Sequence, residues 1–158
     1  MQKIKTLIFD FGDVFINLDK QGAMQNALNL FNIDVFDADI IKTNELYEVG
    51  KISTAEFIQF YKTKFPKISE TNLIDAWNCI LKDFPSHRLD FIKHLALQKN
   101  YKLILLSNTN DMHIDFIKAN VPFFDEFKNC FDKFYLSQEI HLRKPSTDIF
   151  EFVLEQNN

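Results

Sequence analysis

The chain has no basic excess: 18 Lys and Arg stand against 22 Asp and Glu in 158 residues, a formal net charge of -4. Nucleic acid and anionic membranes recruit proteins through positive charge, so neither is an expected partner, and small molecules remain. Cysteine is scarce as well. Cys79 and Cys130 stand alone, without CxxC spacing or a neighbouring His pattern, which suits reduced thiols and a cytoplasmic setting. Long hydrophobic runs are missing too. The opening stretch Thr6-Leu7-Ile8-Phe9 meets Asp10 after four residues, too soon for a signal-peptide core or a membrane span. There are no internal repeats and no low-complexity linker.

What is present is the composition of an ordinary globular protein with one principal core, 46% hydrophobic and 25% charged. Phenylalanine is abundant at 18 residues, and its placement at helical spacing points to core packing rather than to a surface for stacking bases. Residues 3–9 are short, β-branched and apolar, and read as a buried strand ending at Asp10. Residues 19–83 show amphipathic helices at about 22–31, 38–49, 54–64 and 71–81, with no strand among them. Gly50 is a C-terminal stop, and Ser53 with Glu56 forms a capping box that starts the next helix. A helix over 86–98 leads to a second strand over 101–106, which ends in Ser107-Asn108-Thr109-Asn110. A helix over 111–118, a short strand over 133–136 and a last helix over 146–156 behind Lys144-Pro145 follow. Alternating strands and helices predict an α/β fold with a Rossmann-like parallel sheet, helices on both faces, and an inserted all-helical layer.

Ligands of open parallel sheets bind beyond the carboxyl ends of the strands. Asp10, Ser107 and Lys144 all fall there. Taken singly, each has an ordinary role: a strand-terminal Asp in a turn, a Ser as an N-cap, a Lys before Pro as a solvated surface group. Their order along the chain is what singles them out.

Phe9-Asp10-Phe11-Gly12-Asp13-Val14 resembles the first motif of the haloacid dehalogenase (HAD) superfamily, in the variant that reads DxG rather than DxD. Leu103-Ile104-Leu105-Leu106-Ser107-Asn108-Thr109-Asn110 is similar to the second motif, and Leu136-Ser137-Gln138-Glu139 followed by Arg143-Lys144-Pro145 to the Lys motif. Glu48-Val49-Gly50-Lys51-Ile52-Ser53 with Glu56-Phe57 resembles a cap segment of the subgroup that contains sugar phosphate phosphatases. The resemblance implies a HAD-like core over 1–17 and 84–158 with a helical cap over 18–83. It also implies a magnesium-dependent phosphatase acting on a small phosphorylated metabolite. Asp10 would be the nucleophile that forms an aspartyl phosphate, and Lys144 would neutralise charge. Ser107 and Asn108 would bind the substrate phosphate, and Mg2+ would take oxygens from Asp10 and the backbone carbonyl of Gly12. The cap would select the leaving group.

Two departures leave other readings open. The second Asp of the usual pattern is Gly12 here, so the general acid and base is missing; Asp13, one position on, is the nearest replacement, and a cap carboxylate is another. The family's fourth, acidic motif is expected after the helix around 150–154, and the residues up to Asn158 do not contain it. The expectation is therefore a shortened chain with weakened metal binding and an unpaired sheet edge, for which homodimerisation would compensate. Asp125 and Asp132 precede the Lys motif and read as surface or loop residues. His141 stands where this subgroup usually has Gly, so the loop to Lys144 is expected to run differently. Beside the phosphatase stand a metal-independent haloacid dehalogenase, which has no use for a second Asp, and a degenerate domain that binds without turnover.

Overall fold

The structure, a computed structural model, describes residues 4–157. In chain order its elements are β1 (Thr6–Phe9), α1 (Lys20–Phe31), α2 (Ala38–Glu48), α3 (Thr54–Lys64), α4 (Glu70–Asn78) and α5 (Ser86–Gln98). They continue with β2 (Lys102–Ser107), α6 (Asp111–Asn120), α7 (Phe124–Lys128), β3 (Lys133–Leu136), α8 (Ser137–Ile140) and α9 (Thr147–Glu155). The three strands form a parallel sheet in the order β1-β2-β3.

The apolar run of β2 is apolar on both of its faces, and the central place in the sheet uses both. Leu103 and Leu105 point into the larger core, against Leu89 and Ile92 of α5, Ile114 and Ile117 of α6 and Phe127 of α7. Ile104 and Leu106 point the other way, against Ile149 and Val153 of α9. Helices thus cover both faces of the sheet, the Rossmann-like α/β arrangement that the alternation of elements predicts. The strand at 3–9 differs from expectation: Lys3 lies outside the described residues, and β1 is an edge strand whose residues alternate between exposed and half-buried. Ile8 is 46% exposed. Four apolar residues in a row fit a buried strand and an edge strand alike, and position in the sheet decides between them.

Phenylalanine fills the larger core. The fully buried ring of Phe127 has its centroid 5.2 Å from Phe11, 4.8 Å from Phe15, 5.0 Å from Phe84 and 5.1 Å from Phe131. The stacked contact with Phe11 and the edge-to-face contacts with the other three rings add to plain burial. Phe11 and Phe15 lie in the turn after β1, so this cluster also anchors the segment that follows Asp10.

A second core joins α1 to α4, built on Phe31, Ile40, Tyr47, Phe57, Tyr61 and Leu73, with Met112 of α6 inserted from below. The segments that enter and leave this helical layer run side by side: Leu18 bridges Leu81, Asn17 N donates to Asp83 O at 2.9 Å, and Asp19 N donates to Ile80 O at 2.9 Å. This pairing ends α4 at Asn78, three residues short of the predicted boundary, because the Ile80 carbonyl and Lys82 N–H that follow pair with Asp19 and Asn17 in the neck. The capping box is present, with Glu56 N donating to Ser53 Oγ at 3.3 Å and Ser53 N donating to Glu56 Oε2 at 2.8 Å. Gly50 adopts φ +63°, and a Cβ there would run into the Gln138 carbonyl oxygen, so conformation and close approach both require glycine. The sequence pattern does not predict the helices α7 and α8, of 5 and 4 residues. Helices this short have no stable existence apart from the packing that holds them. Among the described residues no helix is long and apolar enough to cross a membrane.

Replacing Phe127 by Ala should cost about 3–5 kcal/mol of unfolding free energy. The same change at Leu97, 79% exposed, should stay within about 0.5 kcal/mol. Equilibrium denaturation of the two variants checks the contrast, and equal losses would mean that the aromatic cluster is not where stability resides.

Candidate active site

Three loops meet at the carboxyl end of the sheet. The first follows β1, where Asp10 Oδ1 accepts a hydrogen bond from Phe11 N at 2.7 Å. A tight turn then folds back on itself, with Phe15 N donating to Phe11 O at 2.8 Å and Asp13 N to Ile16 O at 2.8 Å. The second loop follows β2 at Ser107, and the third follows α8 and carries Arg143 and Lys144. Lys144 joins all three. Its Nζ lies 2.7 Å from Asp10 Oδ2 and donates to the Leu106 carbonyl at 2.9 Å, linking the ends of β1 and β2.

The position of Lys144 is itself held. Asn108 Nδ2 donates to the Lys144 carbonyl and Lys144 N donates to Asn108 Oδ1, both at 2.9 Å. With both ends of its amide engaged, the Asn108 side chain orients the lysine, and what it retains for a ligand is its backbone N–H, which has no partner among the described residues. Ser107 is buried, with its Oγ 3.4 Å from the Asn108 carbonyl. Asp10, Ser107, Asn108 and Lys144 are therefore brought to one place. Asp13 is not brought there. At φ 58° its carboxylate turns away to an ion pair with Lys20 at 2.6 Å and to Leu18 N at 3.1 Å. The Lys20 ammonium holds the Asp13 carboxyl below its usual range, a residue engaged in its own turn.

Gly12 lies beside Leu18. A Cβ at this position would stand 2.5 Å from Leu18 Cδ1, so a larger residue enters only if the leucine moves. Its carbonyl accepts no hydrogen bond among the described residues. Together with the Asp10 carboxylate it offers two hard oxygen donors, and Mg2+ is commonly held by one or two carboxylates, with water and substrate phosphate completing its shell. Among the described residues no group of three His, Cys, Asp or Glu side chains could hold a metal ion unaided. Asp132 serves elsewhere: its Oδ2 accepts from Leu103 N at 2.7 Å, at the opposite end of the sheet.

A cavity of about 490 Å³ lies between the sheet end and the α1–α4 layer. Phe11, Gly12, Ser107 and Asn108 form its wall on the sheet side, and Glu45, Glu48 and Trp77 its wall on the helical side. Asp10 and Lys144 stand at its edge rather than in its lining. Three contacts pin the layer over this space. Ser137 Oγ, fully buried, accepts from Thr109 N at 2.9 Å and donates to the Glu48 carbonyl at 2.6 Å. Arg143 donates from a terminal nitrogen to Glu45 Oε1 at 2.9 Å, and its Nε lies 2.6 Å from Glu48 Oε2 in a charge contact whose N–H is not aimed at the oxygen. His141, at φ 59°, takes the left-handed conformation that a glycine would take, so the loop to Lys144 accommodates it, and its Nδ1 lies 2.9 Å from the Val49 carbonyl.

Glu48, Ser137 and Arg143 fall inside the motif segments, but the sequence assigns none of them an individual role, because the contacts that define it are long-range: Ser137 and Glu48 are 89 residues apart. His113 too lines the cavity. Its Nε2 donates to the Trp77 carbonyl at 3.1 Å while Nδ1 accepts from Asn110, and burial pushes its pKa down to about 4. At neutral pH it is an uncharged strut between α4 and α6.

No family model matches the chain. A D-ribitol-5-phosphate phosphatase of Bacteroides thetaiotaomicron is 30% identical over 164 residues, covering 98% of this chain and 78% of that one. The crystal structure of a HAD family enzyme from Bacteroides thetaiotaomicron, a magnesium complex, superposes with a TM-score of 0.82 at 34% identity, covering 98% of this chain and 78% of that one. A predicted HAD-like family hydrolase from Porphyromonas gingivalis has a TM-score of 0.76 at 27% identity, covering 98% and 76%. With a relative of this identity spanning nearly its whole length, the chain belongs to the haloacid dehalogenase family.

Proposed function

We propose that this protein is a magnesium-dependent phosphatase of a small sugar or sugar-alcohol phosphate, with Asp10 as its nucleophile. The observation that carries the reading is the Asp10 carboxylate held 2.7 Å from Lys144 at the carboxyl end of the sheet, beside a cavity of metabolite size. The Bacteroides relative, named for its action on D-ribitol 5-phosphate, supports the substrate class, and a solved HAD family structure in complex with magnesium and inorganic phosphate supports the metal.

In this reading Asp10 attacks phosphorus and forms an aspartyl phosphate, and water then releases phosphate. Phosphoryl transfer depends chiefly on positioning and charge. Lys144 answers the negative charge on the transferring oxygens, while Ser107 Oγ and the Asn108 N–H donate to the phosphate. Asp10 and the Gly12 carbonyl would hold the magnesium ion, which supplies further charge neutralisation at the phosphate oxygens. We divide the chain into a HAD-like core over 1–17 and 84–158 and a cap over 18–83, a boundary supported by the paired neck and by the separate aromatic cores. The cap closes the cavity from above and selects the leaving group. A cytoplasmic location is supported by the two unpaired cysteines. A homodimer is supported by exposed Ile8, Phe150 and Leu154.

Hydrolysis of p-nitrophenyl phosphate should require magnesium, stop on chelation, and fall by more than about three orders of magnitude in Asp10→Asn. Halide release from a haloacid without metal would replace this reading by the dehalogenase one. Light scattering should give the mass of two chains, and Ile8→Lys should return one; a single-chain mass for the unsubstituted protein would remove the dimer.

A further inference from the structure

Glycine at position 12 removes a carboxylate from the chemistry while its backbone still faces the cavity. Leaving alcohols of ordinary sugar phosphates are poor leaving groups unless protonated, so the proton must come from another side chain. Asp13 is engaged by Lys20 and Leu18 and does not line the cavity. Among the described residues the carboxylates that do line it are Glu45 and Glu48.

These two differ in setting. The Glu45 side chain is 54% exposed and gives Oε1 to Arg143. The Glu48 side chain is 27% exposed; its Oε2 rests against Arg143, and its Oε1 has no hydrogen bond or ion pair among the described residues. Burial raises the Glu48 carboxyl above its usual range, against the opposing pull of Arg143. Its backbone is fixed by the 2.6 Å bond from Ser137 and by the close contact of Gly50 with Gln138. Arg143 precedes Lys144 directly, so the residue that contacts Glu48 is joined to the one that contacts Asp10.

We propose that Glu48 is the general acid and base of this enzyme, acting from the cap side of the cavity in the role that Gly12 vacates; the proposal rests on the phosphatase reading above. In the first step an Asp10 oxygen bonds to phosphorus, the bond from phosphorus to the leaving oxygen breaks, and that oxygen takes the Glu48 proton. In the second, a water oxygen bonds to phosphorus and gives one proton to the Glu48 carboxylate. The bond from phosphorus to Asp10 breaks, and inorganic phosphate leaves with both carboxyl groups restored.

The test compares Glu48→Gln on two substrates by rapid quench, with magnesium present. Nitrophenolate leaves without protonation, so p-nitrophenyl phosphate should give a burst of about one equivalent. Turnover should then be slower than in the unsubstituted protein by about a hundredfold or more, because the aspartyl phosphate waits for a base. A sugar-alcohol phosphate should show the loss without a burst. Glu48→Asp, which keeps a carboxyl group, should recover part of the turnover. An unchanged steady-state rate in Glu48→Gln, or an equal loss of burst and turnover on both substrates, overturns the role of Glu48 and leaves it a cap contact. If the unsubstituted protein shows no Asp10-dependent hydrolysis at all, the phosphatase reading fails and this proposal with it.

Discussion

The ammonium of Lys144 reaches two strand ends at once, 2.7 Å from the Asp10 carboxylate and 2.9 Å from the Leu106 carbonyl. A lysine has four flexible carbons, and such a group holds one geometry only when its backbone is held first. Asn108 does this through two bonds to the Lys144 main chain. The turn after β1 is fixed in a similar way, by the insertion of Phe11 and Phe15 into the cluster around Phe127. The charged site thus sits on an aromatic core on one side and on an amide clamp on the other.

The same economy governs the placement of the helical layer. Two peptide segments lead into it, and their pairing through Leu18 and Leu81 makes the connection a short ladder. At the far side, Ser137, Gly50 and Arg143 join the end of α2 to the segment that begins with α8. The layer is held at both ends over a cavity that neither half of the chain encloses alone. Met112 of α6 buried among the aromatics of the helical layer, and neutral His113 bridging to Trp77, extend this contact along a third side. Ser137, Thr109 and His113 are hydrogen-bonded across this junction, whereas Gln138 Oε1 and Arg143 Nε are buried there without a hydrogen-bond partner among the described residues, so its polar groups are only partly compensated for their loss of water.

Much of the architecture was legible in the order of residues. The helix at 54–64 and the strand at 133–136 appear with their predicted boundaries, because a capping box and a bounded apolar run are local signals. The exposure of β1 was not legible, since four apolar residues do not state how many neighbours they have. The early end of α4 depends on a partner segment some 60 residues away in the chain, at Leu18. Asp13 shows the limit most clearly. It follows Gly12 directly and looks like a stand-in for the missing carboxylate, yet a left-handed backbone turns it to Lys20.

The sequence by itself determined the alternation that makes a parallel α/β sheet, and the motifs that resemble the HAD family around Asp10, Ser107 and Lys144. These are properties of short windows, in which periodicity and residue type carry the information. Only the tertiary structure decided that Asn108 would hold a lysine rather than point at a ligand, that Gly12 would leave its carbonyl free beside Leu18, and that Glu48 would face the cavity against Arg143. Each of these is a meeting of residues distant in the chain, or a direction set by a backbone angle, and neither is written in any single window of sequence.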